Sequence, residues 1–216
     1  MAKRNVMVLC AHPDDEVIGV GGTIAAYAKK KIPVITIVFS YGESSHPWQK
    51  RKVTVEMRVK ESKEASKLVG SKKTIFLGLT DTKIKQQLQS KRIQKRIEEL
   101  ILKYKPVKIF THAADDPHPD HKAIANMVDK ITDKINYKGA VYAFEIWNPV
   151  NIMKREMPRL YVDISKTFST KFKALKLFRS QYYNAIIPML PFIIAKAVGA
   201  GLVSGNKFAE VFYKIK

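Results

Sequence analysis

Two short clusters of histidine and aspartate carry the residue types that can do chemistry in this chain. The first is His-Pro-Asp-Asp-Glu at residues 12–16, and the second is His-Pro-Asp-His at residues 118–121. Imidazole nitrogens and carboxylate oxygens are common protein ligands of catalytic metal ions, and the same groups carry protons in catalysis. The two clusters therefore predict one site that is assembled from distant parts of the chain.

The spacing within the clusters predicts a metal-ligand set. A sharp turn after residue 10 can bring His12 and Asp15 to one ion, and His121 adds a second imidazole. Three protein ligands with one open position are typical of catalytic zinc, which lowers the pKa of its bound water to about 7. Another divalent metal such as Fe²⁺ stays open, because non-haem iron oxygenases use the same ligand types.

The remaining polar residues of the clusters are candidates for acid–base work. Asp14 lies beside the predicted ligands, and a carboxylate there can take a proton from the attacking water and pass it to a leaving group. His118 is placed to donate a hydrogen bond to a developing oxyanion, and Asp120 can orient one of the imidazoles. For either cluster alone, helix capping by Asp14 or Asp120 is the alternative. Taken together, the residues favour metal-assisted hydrolysis of an amide over oxygen chemistry.

The elements that must position these clusters follow from the apolar pattern. Each cluster comes directly after a short apolar run, at residues 6–10 and 107–111, and such runs indicate buried parallel strands. Further strands are predicted at 33–39, 74–77 and 140–144, with helices at 24–30, 54–69, 93–105 and 124–135. This alternation predicts a Rossmann-like α/β fold, a largely parallel sheet with helices on both faces, in a single domain over residues 1–216. Open sheets bind ligands at the carboxyl ends of their strands, so both clusters are expected at one crevice.

The last third of the chain has a less regular pattern. A strand is predicted at residues 160–165 and a helix at 168–181. Residues 185–204 form the most apolar segment, and Pro188, Pro191, Lys196, Gly199 and Gly201 interrupt it. A membrane-spanning helix needs about 20 mostly apolar residues, so these interruptions argue against one. A helical lid over the site, a homo-oligomer contact and a membrane-surface contact stay open.

The composition separates this chain from several other classes of protein. The formal net charge is +20 in 216 residues, which can serve a polyanionic partner or only a solvated surface. The lysines are scattered over nearly every predicted helix and do not interleave with aromatic residues, so no specific nucleic-acid site is expected. The single Cys10 excludes an internal disulfide, and the first residues show no signal-peptide pattern. A cytoplasmic protein is expected.

The two clusters and their neighbours resemble the signatures of the PIG-L (LmbE-like) family of zinc deacetylases. The matching segments are Ala-His-Pro-Asp-Asp-Glu at 11–16 with Gly-Gly-Thr at 21–23, and Asp-Pro-His-Pro-Asp-His at 116–121. Weaker matches follow in family order: Arg58 with Glu61, 76–79 with Asp81, 144–147, 162–165, 173–175, Ser180 with Gln181, and 208–212.

The resemblance implies that this chain removes the acetyl group from an N-acetylglucosamine-type sugar and releases acetate and a free amine. Carried over onto this sequence, it implies that His12, Asp15 and His121 bind Zn²⁺, that Asp14 is the general base, and that His118 assists the tetrahedral intermediate. Members of the family act on mycothiol and bacillithiol precursors, on chitobiose-type sugars and on N-acetylglucosaminyl-phosphatidylinositol.

The resemblance also implies that Arg58 helps to bind the substrate, and the alternative is a helix-surface ion pair between Arg58 and Glu61. Substrate choice is expected in the loop at 41–48 and in the apolar segment. The expected partner is a small N-acetyl amino sugar or glycoconjugate, with a lipid-linked form left open. The alternative function is a basic protein that binds polyanions or membrane surfaces on a catalytically altered scaffold. The identity of the sugar, the metal and the oligomeric state are not encoded in these patterns.

Overall fold

Seven strands form one mixed sheet in the computed structural model, which describes residues 5–148 and 156–216. The strands are β1 (Asn5–Cys10), β2 (Val34–Ser40), β3 (Lys73–Leu79), β4 (Pro106–His112), β5 (Ala140–Phe144), β6 (Arg159–Asp163) and β7 (Ala209–Lys214). Their order across the sheet is β3-β2-β1-β4-β5-β7-β6. The first five strands are parallel, and β7 runs antiparallel between β5 and β6. The predicted α/β class with a largely parallel sheet is confirmed.

Helices cover both faces of this sheet. They are α1 (Asp15–Lys29), α2 (Arg51–Val69), α3 (Ile84–Gln87), α4 (Lys91–Tyr104), α5 (Pro119–Lys134), α6 (Phe168–Leu175) and α7 (Ile187–Ser204). One buried core lies between the sheet and α1, α2, α6 and α7, and the second lies between the sheet and α3, α4 and α5. Alternate residues of β1 point into the two cores: Val6, Val8 and Cys10 into the first, Met7 and Leu9 into the second. A strand buried on both faces needs an unbroken apolar run, which is the pattern that predicted β1.

The connections from β1 and β4 diverge at the carboxyl edge of the sheet. β1 lies between β2 and β4, so the chain leaves β1 toward one side of the sheet and leaves β4 toward the other. α1, which follows β1, packs on the first core, and α5, which follows β4, packs on the second. A crevice opens where consecutive connections part in this way. Residues 12–16 and 118–121 both lie at this crevice.

The first helix begins at Asp15, so its predicted start near residue 24 is wrong. Gly19 and Gly22 are helical residues rather than turn residues. A Cβ on Gly19 would lie 2.4 Å from the Phe144 ring, and a Cβ on Gly22 would lie 2.8 Å from the Ile164 side chain. These glycines therefore allow the Phe144 and Ile164 side chains to pack closely against the backbone of α1. The earlier start places Asp15 in the first helical turn.

The last third of the chain differs more from its predicted pattern. β7 was not predicted as a strand, and α6 ends at Leu175, before the predicted end at residue 181. A 3₁₀ turn (Arg179–Gln181) and a π-helical turn (Tyr182–Ile186) then lead into α7. Pro188 lies in the first turn of α7, directly after the π-helical turn, and Pro191 lies inside a continuous helix. The prediction that the prolines interrupt this segment is therefore wrong.

One helical stretch of the described residues, Arg179–Ser204, is long and apolar enough to cross a membrane by length and composition. One side of this stretch is buried against the rest of the protein. The buried residues of α7 are Met189, Ile193, Ala197, Ala200 and Gly201. A Cβ on Gly201 would lie 2.7 Å from the carbonyl oxygen of Asn206, so the backbone that leads into β7 packs directly on the helix.

Candidate active site

His12, Asp15 and His121 meet at the carboxyl edge of the sheet. His12 lies in the turn after β1, Asp15 begins α1, and His121 lies in the first turn of α5. One ligand atom from each of the three residues lies within 4.8 Å of the others. Asp15 occupies the centre of the group, because its Oδ2 lies 3.5 Å from Nδ1 of His12 and 3.4 Å from Nε2 of His121. The structure therefore brings the three predicted metal ligands together.

The donor set fits a divalent cation. Nε2 of His121 is fully buried and has no hydrogen-bond partner, although it points toward Asp15. Burial by itself lowers the pKa of His121, but the carboxylates of Asp15 and Asp116 raise it to about 9. The carboxylates therefore stabilise positive charge at this position, and a metal ion supplies such charge. Two imidazoles and one carboxylate also match the ligand preference of catalytic zinc.

Asp14 is held beside this group in an unusual backbone conformation. Its φ of 134° and ψ of −36° are rare for a residue with a side chain, and such strain persists only where surrounding contacts hold it. The backbone N–H of Asp14 donates a hydrogen bond to Oε2 of Glu16 at 2.9 Å, and Ser62 donates to the other oxygen of Glu16 at 2.9 Å. Burial raises the pKa of Asp14 to about 7, while the charge of Arg58 opposes this rise. Asp14 is thus a buried carboxylate poised to exchange a proton near neutral pH.

Arg58 of α2 is buried and holds Asp14 in place. Its Nη2 donates to the Asp14 carboxylate at 3.1 Å and to the carbonyl oxygen of Pro13 at 2.8 Å, and its Nη1 donates to the carbonyl oxygen of Gly42 at 2.8 Å. Gly42 has a φ of 64°, and a Cβ there would lie 1.9 Å from Nη1 of Arg58. The alternative pairing with Glu61 is not formed, because Glu61 accepts hydrogen bonds from the backbone and side chain of Ser180. Direct binding of substrate by Arg58 stays a prediction.

His118 lies at the edge of the site, where it is partly buried and lines the cleft. It is the residue that caps α5, and its Nδ1 accepts a hydrogen bond from the backbone N–H of Asp120 at 3.2 Å. Burial lowers the pKa of His118, and the charges of His121 and His12 lower it further. A neutral imidazole that accepts at Nδ1 carries its proton on Nε2. His118 can therefore donate a hydrogen bond, which its predicted role at an oxyanion requires.

Two carboxylates, Asp120 and Asp116, contact the ring nitrogens of His12 and His121 that do not face Asp15. Oδ2 of Asp120 lies 3.5 Å from Nε2 of His12 and accepts a hydrogen bond from the backbone of Thr82 at 3.2 Å. Asp116 is fully buried, and its Oδ1 lies 3.1 Å from Nδ1 of His121. The orienting role predicted for Asp120 is thus available at His12, and Asp116 occupies the corresponding position at His121. Asp116 is the first residue of the motif at 116–121, and its position behind His121 was not predicted from the sequence.

His112 is a third buried imidazole that the sequence analysis missed. It stacks on His121 with ring centroids 3.8 Å apart, and its Nε2 accepts a hydrogen bond from the backbone N–H of Ala11 at 3.0 Å. Burial lowers the pKa of His112 to about 4, and the charge of His121 acts in the same direction. The predicted strand ended at residue 111, one residue short of β4. A predicted strand one residue longer would end at His112, and His112 would then be a candidate site residue, because ligands bind at the carboxyl ends of parallel strands.

A cleft of about 260 Å³ leads to this group from the surface. The metal-ligand candidates His12 and Asp15 lie in its wall with Asp14, Arg58 and His118, and the remaining lining residues are Ile18, Ser44, Ser45, Asp81, Thr82, Ile146, Trp147, Gln181 and Ala185. Trp147 is 41% exposed at the cleft, and Nε2 of Gln181 is buried without a hydrogen-bond partner. Both segments that were expected to encode substrate choice reach the cleft, the loop through Ser44 and Ser45 and the apolar segment through Ala185.

Asp81 contributes a carboxylate to the same cleft. Its Oδ1 lies 3.2 Å from Nε2 of His12, and its Oδ2 accepts a hydrogen bond from the backbone N–H of Ser44 at 3.1 Å. Burial raises the pKa of Asp81, but the hydrogen bond to His12 outweighs this effect and lowers the pKa to about 2. Asp81 is therefore an ionised hydrogen-bond acceptor next to the metal-ligand candidates.

Residues 7–132 match the family model described as PIG-L, GlcNAc-PI de-N-acetylase. The matched range contains both motif clusters. A curated relative, the probable N-acetyl-alpha-D-glucosaminyl L-malate deacetylase 2 of Bacillus cereus, is 28% identical over 187 residues, which cover 83% of this chain and 84% of the relative.

Two solved structures share the fold. The N,N'-diacetylchitobiose deacetylase from Pyrococcus horikoshii, in complex with its inhibitor, superposes with a TM-score of 0.81 at 24% identity and covers 98% of this chain and 84% of the other. GalB, the 4-carboxy-2-hydroxymuconate hydratase from Pseudomonas putida KT2440, has a TM-score of 0.83 at 21% identity, with 99% and 96% covered. The same fold thus occurs in proteins named as a deacetylase and as a hydratase, so the chemistry has to be argued from the site.

Proposed function

The chain belongs to the PIG-L family, and from this premise we propose that it is a metal-dependent hydrolase that removes the acetyl group from an N-acetylglucosamine-type amino sugar or its conjugate. The observation that carries the proposal is the arrangement of four side chains at one sheet edge. His12, Asp15 and His121 converge within 4.8 Å, and the carboxylate of Asp14 lies in the same cleft wall. Curated and structural relatives named as deacetylases of such sugars support the substrate class.

His12, Asp15 and His121 are the side chains that would hold the metal, and Zn²⁺ is the proposed ion, with Fe²⁺ as the alternative. When bound, a divalent metal of this kind lowers the pKa of a coordinated water to about 7 and polarises a carbonyl oxygen. His12 and His121 each have a carboxylate behind them, Asp120 and Asp116, and such contacts fix the ring orientation of a ligating imidazole.

Asp14 is the proposed general base and acid. Its carboxylate takes a proton from the water that attacks the acetamide carbonyl carbon, and it delivers this proton to the amine nitrogen as the carbon–nitrogen bond breaks. The products are acetate and the free amine. Arg58 keeps the Asp14 carboxylate in position through the 3.1 Å contact, and the strained backbone directs it into the cleft. Proton transfer of this kind contributes about 10²–10⁴-fold to a rate.

His118 is the proposed donor to the oxyanion that develops on the acetamide oxygen. Its Nδ1 accepts a hydrogen bond from the backbone of Asp120, so its Nε2–H is available for this contact.

The proposal for substrate binding rests on residues of the cleft wall. Asp81 can accept a hydrogen bond from a sugar hydroxyl, and the exposed ring of Trp147 offers a flat apolar surface to a pyranose. The cleft volume suits a small sugar and leaves a larger aglycone outside.

The decisive experiment measures acetate release from a panel of N-acetylglucosamine derivatives, with metal analysis of the same preparation. The panel contains the free sugar, its disaccharide, its malate glycoside and its phosphatidylinositol conjugate. We expect acetate and one equivalent of free amine from at least one compound, and loss of both after the metal is removed with a chelator. A metal-loaded protein that releases no acetate from any compound would refute the proposal. Hydration of an unsaturated tricarboxylic acid such as 4-carboxy-2-hydroxymuconate by that protein would assign the site to the chemistry named for GalB.

A further inference from the structure

The outward face of α7 is apolar along its whole length. Ile187, Ile194, Val198 and Leu202 follow one another at helical spacing on this face. Their exposed fractions are 41%, 36%, 37% and 78%, and Val203 beside them is 71% exposed. A surface helix of a soluble protein normally carries polar side chains on its exposed side.

Only one side chain on α7 itself is charged. Lys196 is half-buried, and it pairs with Glu145 at 3.3 Å and donates to the carbonyl oxygen of Asn148 at 2.6 Å. The exposed residues of the helix and of the turn before it are Tyr183, Asn184, Ile187, Pro188, Pro191, Phe192, Ile194, Ala195, Val198, Gly199, Leu202 and Val203. We call this set the α7 outer face. It is a continuous apolar strip, and such strips on a protein surface mark sites that another molecule covers.

The exposed charges that border the α7 outer face in the sequence are positive, and the carboxylate that lines the groove beside it, Glu145, is paired with Lys196. No Asp or Glu occurs between Asp163 and Glu210. Arg179 lies at the start of the helical segment, Lys207 follows its end, and both side chains are exposed. Arg159 of β6 is exposed as well and lines a shallow groove with Gly199 and Val203. An apolar helix face bordered by cations is the pattern of helices that lie in the interface of anionic membranes.

We propose that the α7 outer face docks on the surface of an anionic lipid bilayer. A second copy of the chain fits less well, because each copy carries a formal charge of +20 and a shared α7 contact would bring cations of equal sign together. A spanning orientation would remove Met189, Ile193 and Ala197 from the core of the protein. The bilayer accommodates both features of this surface, since its acyl boundary covers the apolar strip and its head groups neutralise the flanking cations.

This docking places the active-site cleft close to the membrane. Ala185, in the turn that leads into α7, lines the cleft beside Gln181. The segment that contacts lipid thus begins at the rim of the site. The inference goes beyond the proposed deacetylation and stands separately from it, because acetate release from a soluble sugar tests the reaction and vesicle binding tests the surface.

The test is flotation of the purified full chain with vesicles of phosphatidylcholine alone and of phosphatidylcholine mixed with phosphatidylglycerol. We expect flotation with the anionic vesicles and at least tenfold weaker binding to the neutral ones. Raising the salt from about 0.1 M to about 1 M shortens the screening length from about 10 Å to about 3 Å, so binding should weaken. Leu202→Glu is expected to reduce binding to anionic vesicles at least tenfold, and Val203→Glu serves as a second variant at the same face.

Leu102→Glu is the matched control, because Leu102 is 57% exposed on α4 and the change in net charge is the same. It should retain most of the vesicle binding. The proposal is overturned if the chain does not float with anionic vesicles, or if the variants at Leu202 and Leu102 weaken binding equally. A dimer in light scattering that Leu202→Glu dissolves, without vesicle binding, would assign the face to a second copy instead.

Discussion

The active site and the α7 outer face depart from the usual distribution of residues in opposite ways. The site buries charged side chains, with Asp14, Asp15, Arg58 and His121 each less than a tenth exposed. The α7 outer face exposes large apolar side chains, up to 78% for Leu202. Buried polar groups and exposed apolar strips are the two informative exceptions to the rule that apolar residues lie inside.

The two regions differ in whether contacts within the protein compensate the unfavourable free energy, which comes from buried charge at the site and from exposed apolar surface on α7. At the site the charges compensate one another, as Arg58 does for Asp14, and the donor atoms of His12, Asp15 and His121 converge within 4.8 Å. At the α7 outer face the apolar side chains stay exposed in the part of the chain that the structure describes, residues 5–148 and 156–216. This difference agrees with the two proposals, a small cation at the first region and a lipid surface at the second. The predictions that follow separate a role in function from a role in folding at each region.

Replacing His121 by alanine should have the largest effect. The change removes one of two imidazoles from the ligand set and leaves Asp15 with His12 as the remaining imidazole of that set. We expect the bound metal to fall from about one ion per chain to near zero and acetate release to fall to background. Metal analysis by mass spectrometry and an acetate assay measure these effects. His46→Ala is the control, since His46 is buried at 8% exposure but lies outside the ligand set, and a similar loss of metal there would contradict the assignment.

Asp14→Asn should separate proton transfer from metal binding. The amide keeps the shape of the side chain but cannot accept the proton, so we expect kcat to fall by about 10²–10⁴-fold. The metal content is expected to stay unchanged, because Asp14 is not among the predicted ligands. The two quantities are measured on one preparation. Near-normal turnover in this variant would exclude Asp14 as the general base.

Asp116→Asn should weaken the hold on the metal without removing a ligand. Asp116 lies 3.1 Å from Nδ1 of His121, and loss of such a carboxylate lowers metal affinity by about 10–100-fold. Competition with a chromogenic chelator measures the affinity. Asp163→Asn, at an exposed carboxylate at the end of β6, is the control. Equal affinity for both variants would show that Asp116 serves only as an acceptor for the backbone N–H groups of His118, Ile146 and Trp147.

Gly42→Ala compared with Gly205→Ala should separate local strain from active-site geometry. Both glycines have positive φ, 64° and 71°, so a side chain costs about 1–2 kcal/mol of stability at either position. At Gly42 the new Cβ also displaces Arg58, whereas nothing lies within 4 Å of it at Gly205. We expect kcat to fall only for Gly42→Ala. Urea denaturation and the acetate assay give the two readouts, and equal kcat values would argue against positioning of Asp14 by Arg58.

Leu202→Glu should have the smallest effect on the folded protein. The side chain is 78% exposed and contributes little to the core, so the free energy of unfolding should change by less than about 0.5 kcal/mol. Acetate release from a soluble sugar should be unchanged as well. A clear loss of stability in urea denaturation would mean that the α7 outer face serves the fold rather than a partner.

The residues of the metal-ligand set and the class of fold followed from local patterns. His12, Asp15 and His121 were chosen because each lies near the end of an apolar run, and parallel strands share one carboxyl edge. The strands β1, β2 and β4 were located for a related reason, since burial on both faces requires continuous apolar residues. The start of α1 was missed because Gly19 and Gly22 look like turn residues until the Phe144 and Ile164 side chains that pack against them are known.

The sequence by itself identified the candidate metal-ligand and acid–base residues and predicted that a largely parallel sheet brings them to one edge. Only the tertiary structure decided how they are used: that Arg58 pairs with Asp14 rather than Glu61, that Asp116 and His112 lie against His121, and that β7 inserts antiparallel beside β5. It also decided which side of α7 faces outward. The physical reason is the separation of the interacting residues along the chain. Hydrophobic periodicity reports the burial of one local segment, whereas these contacts join residues that are far apart in the sequence and come together only when the sheet forms.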